Sequence, residues 1–373
     1  MAINRREWIQ QSLLASAALL VAGSSGAYGC ASGLREKRIE GAPLQLNWNE
    51  NPYGPADSAV KAVSEAMKFA NRYPDEYILK VKEKLSKLHS VKPSNLLITA
   101  GSTEILSLLG QHVGMQKGEI LTAYPTFPTI IQFGQVSGAT IKKVDLDKDD
   151  RFDFERLSKA ITAKTTLIFV CNPNNPTGTE VPTEDLKAFC RSVPENVLVC
   201  VDEAYIEYSN AGTAGSMVSL VKELPNLIVC RTFSKTYGLA GLRVGYAVSN
   251  SANITALRNR HLGFELSTGW PPLVAVSASL DDQAFVKMCV EKNNEGKEIV
   301  YDAYKKWGVD YNPSSTNFIY TRHDRFDKQV VAKMEDRGIL ITKWPDMTNH
   351  IRISVGKPEE MRTFVEVVED FLV

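Results

Sequence analysis

The chain has 373 residues, 44% of them hydrophobic, and sets 43 basic side chains against 43 acidic ones. Zero net charge argues against nucleic acid or an acidic membrane surface as a partner. The length suits two domains with sizeable cores, and no internal repeat or low-complexity tract interrupts it.

The first 33 residues carry Asn4-Arg-Arg-Glu-Trp-Ile-Gln10 and then an uncharged run rich in Leu, Ala, Ser and Gly. A basic start, a modest apolar run and small residues near Gly29 form the pattern of an export signal rather than a membrane span. Arg5-Arg6 followed by Trp8 and Ile9 resembles a twin-arginine signal, which implies export of a folded protein to the periplasm. Cys30, after Ala27-Tyr-Gly, raises lipidation as a second route to the membrane, although Tyr28 makes a poor lipobox. An amphipathic N-terminal helix of a cytoplasmic enzyme is the competing reading.

Beyond the Gly54-Pro55 turn, apolar spacing predicts helices over Ala59–Phe69 and Tyr77–Leu88. Strands then alternate with helices, at Leu96–Thr99, Glu119–Tyr124, Thr140–Val144, Thr166–Cys171, Val197–Val201 and Leu227–Arg231. That alternation implies an α/β fold with a mostly parallel central sheet and helices on both faces. Gly241–Ser249 reads as one more strand, at the sheet edge. Ala252–Leu266 and Pro272–Trp307 read as long helical stretches. They lead into a smaller α+β portion with strands at Thr316–Thr321 and His350–Val355 and a closing helix at Glu359–Leu372. The expected organisation is an export signal over 1–33, a segment over 34–73 that joins the small domain, a large α/β domain over 74–262 and a small α+β domain over 263–373.

Several of these elements end in groups suited to chemistry. Leu96-Leu-Ile-Thr-Ala-Gly-Ser-Thr-Glu-Ile-Leu106 reads as strand, glycine turn and helix start, so the free N–H groups of Gly101, Ser102 and Thr103 suit a phosphate. Thr166-Leu-Ile-Phe-Val-Cys-Asn-Pro-Asn-Asn-Pro-Thr-Gly178 presents Asn175 where a buried strand ends. Leu198-Val-Cys-Val-Asp-Glu-Ala-Tyr205 ends a strand in a carboxylate, with a tyrosine three residues on. Open α/β sheets place their sites at such strand ends. In Arg231-Thr-Phe-Ser-Lys-Thr-Tyr-Gly-Leu-Ala-Gly-Leu-Arg243, Lys235 follows a hydroxyl residue and precedes an arginine in a largely uncharged stretch. A lysine in apolar surroundings loses part of its preference for the ammonium form and becomes a nucleophilic amine. Schiff-base chemistry with a carbonyl or with pyridoxal phosphate (PLP) requires such a lysine. Ser234 and Arg243 suit the phosphate.

The order Gly-Ser-Thr-Glu, Asn-Pro-Thr-Gly, Asp-Glu-Ala-Tyr, Ser-Lys and Leu-Arg-Val-Gly resembles the fold-type I PLP-dependent aminotransferases of class I/II. Leu46-Asn-Trp-Asn-Glu-Asn-Pro-Tyr-Gly-Pro55, Arg72-Tyr-Pro-Asp75 and Ile351-Arg-Ile-Ser-Val-Gly356 resemble the histidinol-phosphate aminotransferase branch. The resemblance implies that Lys235 binds the cofactor covalently and moves the substrate proton, and that Asp202 pairs with the pyridine nitrogen. It implies that Tyr205 and Asn175 bond the ring oxygen, and that Ser102, Thr103, Ser234 and Arg243 hold the phosphate. Phe127, in Tyr-Pro-Thr-Phe-Pro, matches an aromatic that stacks on the ring. Tyr73 matches a tyrosine reaching the phosphate from a second subunit, which implies a homodimer with shared sites. Arg352 matches the arginine that clamps a substrate carboxylate, with Asn51 and Asn175 as further substrate contacts. The expected partners are a small-molecule amino donor and a 2-oxo acid, with 2-oxoglutarate as the expected acceptor, and with no nucleic acid and no metal.

One stretch departs from that pattern. Histidinol-phosphate enzymes usually carry a second arginine after a Gly-Ile element, for the substrate phosphate. Here Gly338-Ile-Leu-Ile-Thr342 puts a threonine there, and strand alternation points the following Lys343 to the other face. The amino donor is therefore histidinol phosphate or an aromatic or other neutral amino acid. A histidinol-phosphate donor has no α-carboxylate, so Arg352 then meets its phosphate or serves the 2-oxo acid. A PLP-dependent decarboxylase or C–S lyase shares Lys235 and Asp202 and is an alternative on the same fold. A secreted, non-catalytic binding protein is the alternative outside enzymology. Cys171, Cys200 and Cys230 fall in apolar strand patterns and read as small buried hydrophobes. Cys190 and Cys289 fall in helical patterns, and no cysteine has metal spacing.

Overall fold

Short aliphatic and β-branched runs separated by amphipathic segments dictate the architecture, which we describe from a computed structural model. The structure describes residues 43–261, 265–327, 329–344 and 349–372. The expected export signal, with Arg5, Arg6 and Cys30, lies outside the described residues.

The chain opens with β1 (Leu44–Gln45), α1 (Asp57–Ala66) and α2 (Asp75–His89). The alternating region follows as β2 (Leu96–Thr99), α3 (Ser102–Met115), β3 (Glu119–Tyr124), α4 (Thr129–Val136) and β4 (Thr140–Asp145). It continues through α5 (Phe154–Ala160), β5 (Thr165–Cys171), α6 (Thr183–Ser192), β6 (Leu198–Asp202), β7 (Leu227–Thr232) and β8 (Gly245–Ser249). The helices α7 (Ser251–Arg258), α8 (Trp270–Asp281) and α9 (Gln283–Trp307) lead to β9 (Phe318–Arg322) and α10 (Val330–Asp336). The described chain closes with β10 (Ile339–Leu340), β11 (His350–Ser354) and α11 (Pro358–Leu372).

Seven strands form one sheet in the order β2-β8-β7-β6-β5-β3-β4. All run in one direction except β8, which is antiparallel to both β2 and β7. The expected alternation of strands and helices is therefore present, and the interior strands are buried on both faces as a parallel sheet demands. The edge strand β4 is instead largely exposed and carries Lys142 and Lys143, charges that discourage pairing with another chain.

Three sequence expectations are corrected. The strand expected at the sheet edge over Gly241–Ser249 begins only at Gly245, and it lies inside the sheet between β2 and β7. Its five residues carry no charge and are all buried, which suits an interior position. Residues 240–242 form a 3-10 turn, and Arg243 adopts a left-handed φ of 54° that no strand tolerates. The helical stretch expected over Pro272–Trp307 divides at Asp282, whose side chain caps α9 by accepting the Phe285 N–H at 3.2 Å. The helix expected to reach Leu266 stops at Arg258.

Two main apolar clusters hold these elements. The larger one packs the sheet against its helices, with Leu109, Ile120, Phe169, Val201, Val229 and Leu273 in its interior. The second gathers Leu46 with Tyr304, Ile319, Phe326, Ile351 and Phe364. Complete burial of a side chain such as Phe364 contributes about 2–3 kcal/mol from desolvation alone. β1 joins the second cluster by pairing in parallel with β10, and β9 pairs with β11 in an antiparallel ribbon. The segment after β1 is thereby delivered toward the open edge of the large sheet.

Candidate active site

The C-terminal ends of the parallel strands converge with the start of β8. Thr99 on β2 and Thr232 on β7 both register with Gly245, and Cys171 on β5 registers with Asp202 on β6. The loops leaving this edge carry Ser102, Phe127, Asn175, Tyr205 and Lys235, and the loop entering β8 carries Arg243. This is the edge where open α/β sheets bind ligands.

Asp202 is 2% exposed, and its Oδ1 accepts the Ala204 N–H at 3.1 Å. Burial raises its pKa to about 7, helped by the neighbouring Glu203 charge and opposed by the Ala204 hydrogen bond and Lys235. Lys235 Nζ lies 3.1 Å from the Asn49 carbonyl oxygen and 5.6 Å from the centroid of the Tyr205 ring. Burial lowers its pKa to about 8, the Arg352 charge adds to that, and the Glu50 carboxylate opposes it. The two groups are thus poised near neutrality from opposite sides, a state that burial drives first and neighbouring charges reinforce.

The anion-binding end is built on close approach. Gly101 sits at a φ of 82° before α3, and a Cβ there would stand 2.5 Å from Arg243 Nη2. Only the absence of a side chain admits the guanidinium over the helix start, where the Ser102 and Thr103 amides precede the first intrahelical bond. Arg243 Nη1 lies 3.4 Å from Ser234 Oγ. A cavity of about 400 Å³ lined by Thr103, Glu104, Ser107, Arg243 and Arg260 runs beside this end along α3. Two hydroxyls, a helix N-terminus and a guanidinium form a donor set that fits a phosphate.

Opposite them, Arg352 on β11 donates from Nη1 to Asn175 Oδ1 at 2.7 Å and from Nη2 to the Asn47 carbonyl at 2.9 Å. The Phe318 and Trp344 rings lie 5.3 and 5.8 Å from its Cζ, within cation–π range. The Tyr205 hydroxyl accepts from Asn49 Nδ2 at 3.0 Å, and burial pushes its pKa well above the ordinary phenol value.

The aminotransferase class I and II family model matches residues 42–368. The chain belongs to the class I and II aminotransferases. The histidinol-phosphate aminotransferase of Brevibacillus brevis is 36% identical over 331 residues, covering 88% of this chain and 90% of that protein. A crystal structure of an Erwinia carotovora atroseptica protein superimposes with a TM-score of 0.84. It is 31% identical, with 88% of this chain and 96% of that one covered. The histidinol-phosphate aminotransferase of Sinorhizobium meliloti, solved with pyridoxal-5'-phosphate, gives a TM-score of 0.79 at 27% identity, covering 94% and 99% of the two chains.

Within this aminotransferase the remaining expected residues fall in three ways. Phe127 leaves β3 toward the site and packs half-buried against the large core. Tyr73 is 79% exposed just before α2. Asn51 is engaged elsewhere: its Nδ2 donates to the Thr236 carbonyl at 2.8 Å and to Cys289 Sγ at 3.2 Å. It thereby ties the N-terminal segment to the Lys235 loop, where a Cβ on Gly238 would lie 2.0 Å from the Gly54 carbonyl. Asn49, two residues earlier in the same motif, is the one that touches Lys235 and Tyr205. The asparagine-rich motif was visible in the sequence, but its alternation alone did not say which asparagine faces inward.

Thr342 sits in a bridge with Arg352 and donates from Oγ1 to the Asn47 carbonyl at 2.6 Å. Lys343 Nζ donates instead to the Asp327 carbonyl at 2.7 Å, on the other face as strand alternation requires. Behind Asp202, Arg231 pairs with Glu203 at 3.3 Å and Glu207 at 3.0 Å, all three side chains being nearly sealed from solvent. No single segment signals this buried group, because its members come from different strands and turns.

Proposed function

We propose that this aminotransferase is PLP-dependent and moves an amino group from histidinol phosphate or an aromatic or neutral amino acid to a 2-oxo acid, with 2-oxoglutarate as the acceptor. The observation that carries the reading is the convergence, on one sheet edge, of a lysine with a lowered pKa, a buried carboxylate and an arginine held by Asn175.

Bound PLP supplies an electron-withdrawing ring and a carbonyl that takes up an amine. The protein does the rest. Asp202, at the floor of the site, holds a proton on the ring nitrogen, and the positive ring in turn favours its carboxylate form. Lys235, about half neutral near pH 8, would take the proton from the substrate carbon and hold it at Nζ. Tyr205 and Asn175 would hold the ring oxygen, and Phe127 would pack against the ring. The α3 start, Ser234 and Arg243 grip the phosphate, and Arg352 offers its planar fork to a carboxylate. Asn51 serves the substrate only indirectly, by setting the Lys235 loop. The threonine at 342 leaves the distal substrate end without the expected arginine, which favours neutral and aromatic donors beside histidinol phosphate.

The exposed Tyr73 fits a homodimer in which it reaches the partner's phosphate site. Arg5-Arg6 and the apolar run after them support export by the twin-arginine route, and N-terminal sequencing of the secreted protein tests it.

The direct test is single-turnover absorbance of the PLP-loaded protein mixed with one amino donor at a time and no acceptor. Stoichiometric conversion of PLP to its amine form, with release of the oxo product, is expected. Release of carbon dioxide or thiol with PLP unchanged would overturn the transaminase reading in favour of a decarboxylase or lyase.

A further inference from the structure

Asn49 occupies an unusual position for a residue with no assigned role. It is 2% exposed and adopts a left-handed φ of 55°, a conformation asparagine tolerates better than most side chains. Every polar group it owns is engaged, and two of them meet the same Ser354 hydroxyl. Its backbone N–H donates to Ser354 Oγ at 2.7 Å, and its carbonyl accepts from Lys235 Nζ at 3.1 Å and from Asn317 Nδ2 at 2.9 Å. Its Oδ1 lies 3.3 Å from Ser354 Oγ, and its Nδ2 lies 3.0 Å from the Tyr205 hydroxyl.

The directions of these bonds follow from counting protons. The Ser354 hydroxyl already accepts the Asn49 N–H, so its single proton is left to donate to Oδ1. That fixes the amide with its oxygen toward Ser354 and its NH₂ toward Tyr205; the flipped amide would make the Ser354 oxygen accept twice and would take the Oδ1 acceptor away from its buried proton. Tyr205 must then accept from Nδ2, and its own proton is aimed elsewhere. The ring cannot swing to change this, because it is buried and packs edge-on against Phe318 at 5.2 Å and 84°.

We propose that Asn49 is a positioning residue that turns the Tyr205 hydroxyl proton toward the cofactor ring oxygen, with Ser354 locking the amide in the donating orientation. The inference rests on the PLP-dependent reading above. Ser354 lies two residues beyond Arg352, on the same face of β11, so one strand carries both the carboxylate clamp and this lock. A phenol committed to donating stabilises negative charge on the ring oxygen. Bound PLP therefore loses its proton at a lower pH than it would beside an uncommitted tyrosine.

The test is the pH titration of the visible absorbance of bound PLP, without substrate, in wild type and in Asn49→Gly, Asn49→Asp and Ser354→Ala. Glycine keeps the left-handed backbone and the carbonyl facing Lys235 while removing the amide. Aspartate keeps the shape but offers Tyr205 an acceptor. The titration midpoint is expected to rise by about one unit in Asn49→Gly, where one unit equals a tenfold change in proton affinity, and further in Asn49→Asp. A smaller rise is expected in Ser354→Ala, which touches nothing that meets the cofactor. Repeating Asn49→Gly in a Tyr205→Phe background should add no further rise. Unchanged midpoints in Asn49→Gly and Ser354→Ala, with PLP bound and titrating, would overturn the inference while leaving the PLP reading intact. The same rise with and without the Tyr205 hydroxyl would also overturn it, since the effect would not pass through that proton. A wild-type protein that binds no PLP would overturn the functional reading and this one with it.

Discussion

Arg352 Nη1 and Asn175 Oδ1 are joined by a 2.7 Å hydrogen bond across 177 residues of chain. The guanidinium that would clamp a carboxylate is thus already partnered, and its second nitrogen is held by the Asn47 carbonyl. An arginine fixed this way has little rotamer entropy left to lose when a carboxylate arrives. Charge-assisted hydrogen bonds of this kind are worth about 1.5–3 kcal/mol. Arg352→Leu should lower kcat/KM for carboxylate-bearing substrates about 10- to 100-fold, at 1.36 kcal/mol per tenfold step. Steady-state kinetics with the PLP absorbance monitored alongside checks this, and a loss of cofactor instead would show that Arg352 acts mainly on the site's architecture.

The lysine has its own pH signature. With its folded pKa lowered to about 8, Lys235 is mostly protonated below that pH and mostly neutral above it. Only the neutral amine attacks a carbonyl. Covalent capture of PLP by the apoprotein, trapped by borohydride and read by mass spectrometry, should accelerate as pH rises through about 8 and then level off. Arg352→Leu removes a charge that depresses this pKa, so its profile should move to higher pH.

Asp202 predicts a stability cost in the apoprotein. Its folded pKa is raised to about 7, above the 3.8 of a free aspartate, so the folded state binds the extra proton. The favourable contribution is therefore present at low pH and is lost as pH rises through about 7. Relative to Asp202→Asn, the apoprotein should lose on the order of a few kcal/mol between pH 4 and 8. Denaturant melts of the two apoproteins at both pH values measure it. PLP should narrow the gap in wild type alone, since only the carboxylate holds a charged ring nitrogen.

Gly101 provides a steric test of the phosphate grip. Alanine there would bring a Cβ to 2.5 Å from Arg243 Nη2 at a φ of 82°. Backbone strain at such a φ costs about 1–2 kcal/mol, and the guanidinium must move away as well. Gly101→Ala should weaken PLP binding at least about tenfold, which dialysis against a cofactor scavenger reads directly. Lys235 chemistry with a small aldehyde lacking phosphate should be little changed.

Much of the site was legible because strand ends announce themselves. Asp202 ends its apolar run directly, Asn175 and Lys235 follow theirs by a few residues, and the sheet brings those ends together by its topology. Position within a loop was harder. Asn49 and Asn51 lie in one motif, and the left-handed turn at Asn49 breaks the alternation that would have told them apart. β8 was expected at an edge because it comes last in the alternating series; a strand that inserts backwards between two earlier ones leaves no local trace. Arg231, Glu203 and Glu207 looked like unrelated charges, because their pairing depends on β7 registering beside β6. Contacts across 156 and 305 residues, as at Asn49, are properties of the folded sheet and not of any segment.

The reversed direction of β8 has a mechanical meaning. Because β7 and β8 are hydrogen-bonded neighbours running in opposite directions, the chain between them is a hairpin loop with both feet clamped. That loop carries Ser234 and Lys235 near one foot and Arg243 near the other. Lys235 and the proposed phosphate grip of Ser234 and Arg243 thus travel as a single cassette of fixed span. Lengthening or shortening it would first disturb its middle, where Thr236 and Gly238 meet Asn51 and Gly54, so the loop is a poor place for insertions.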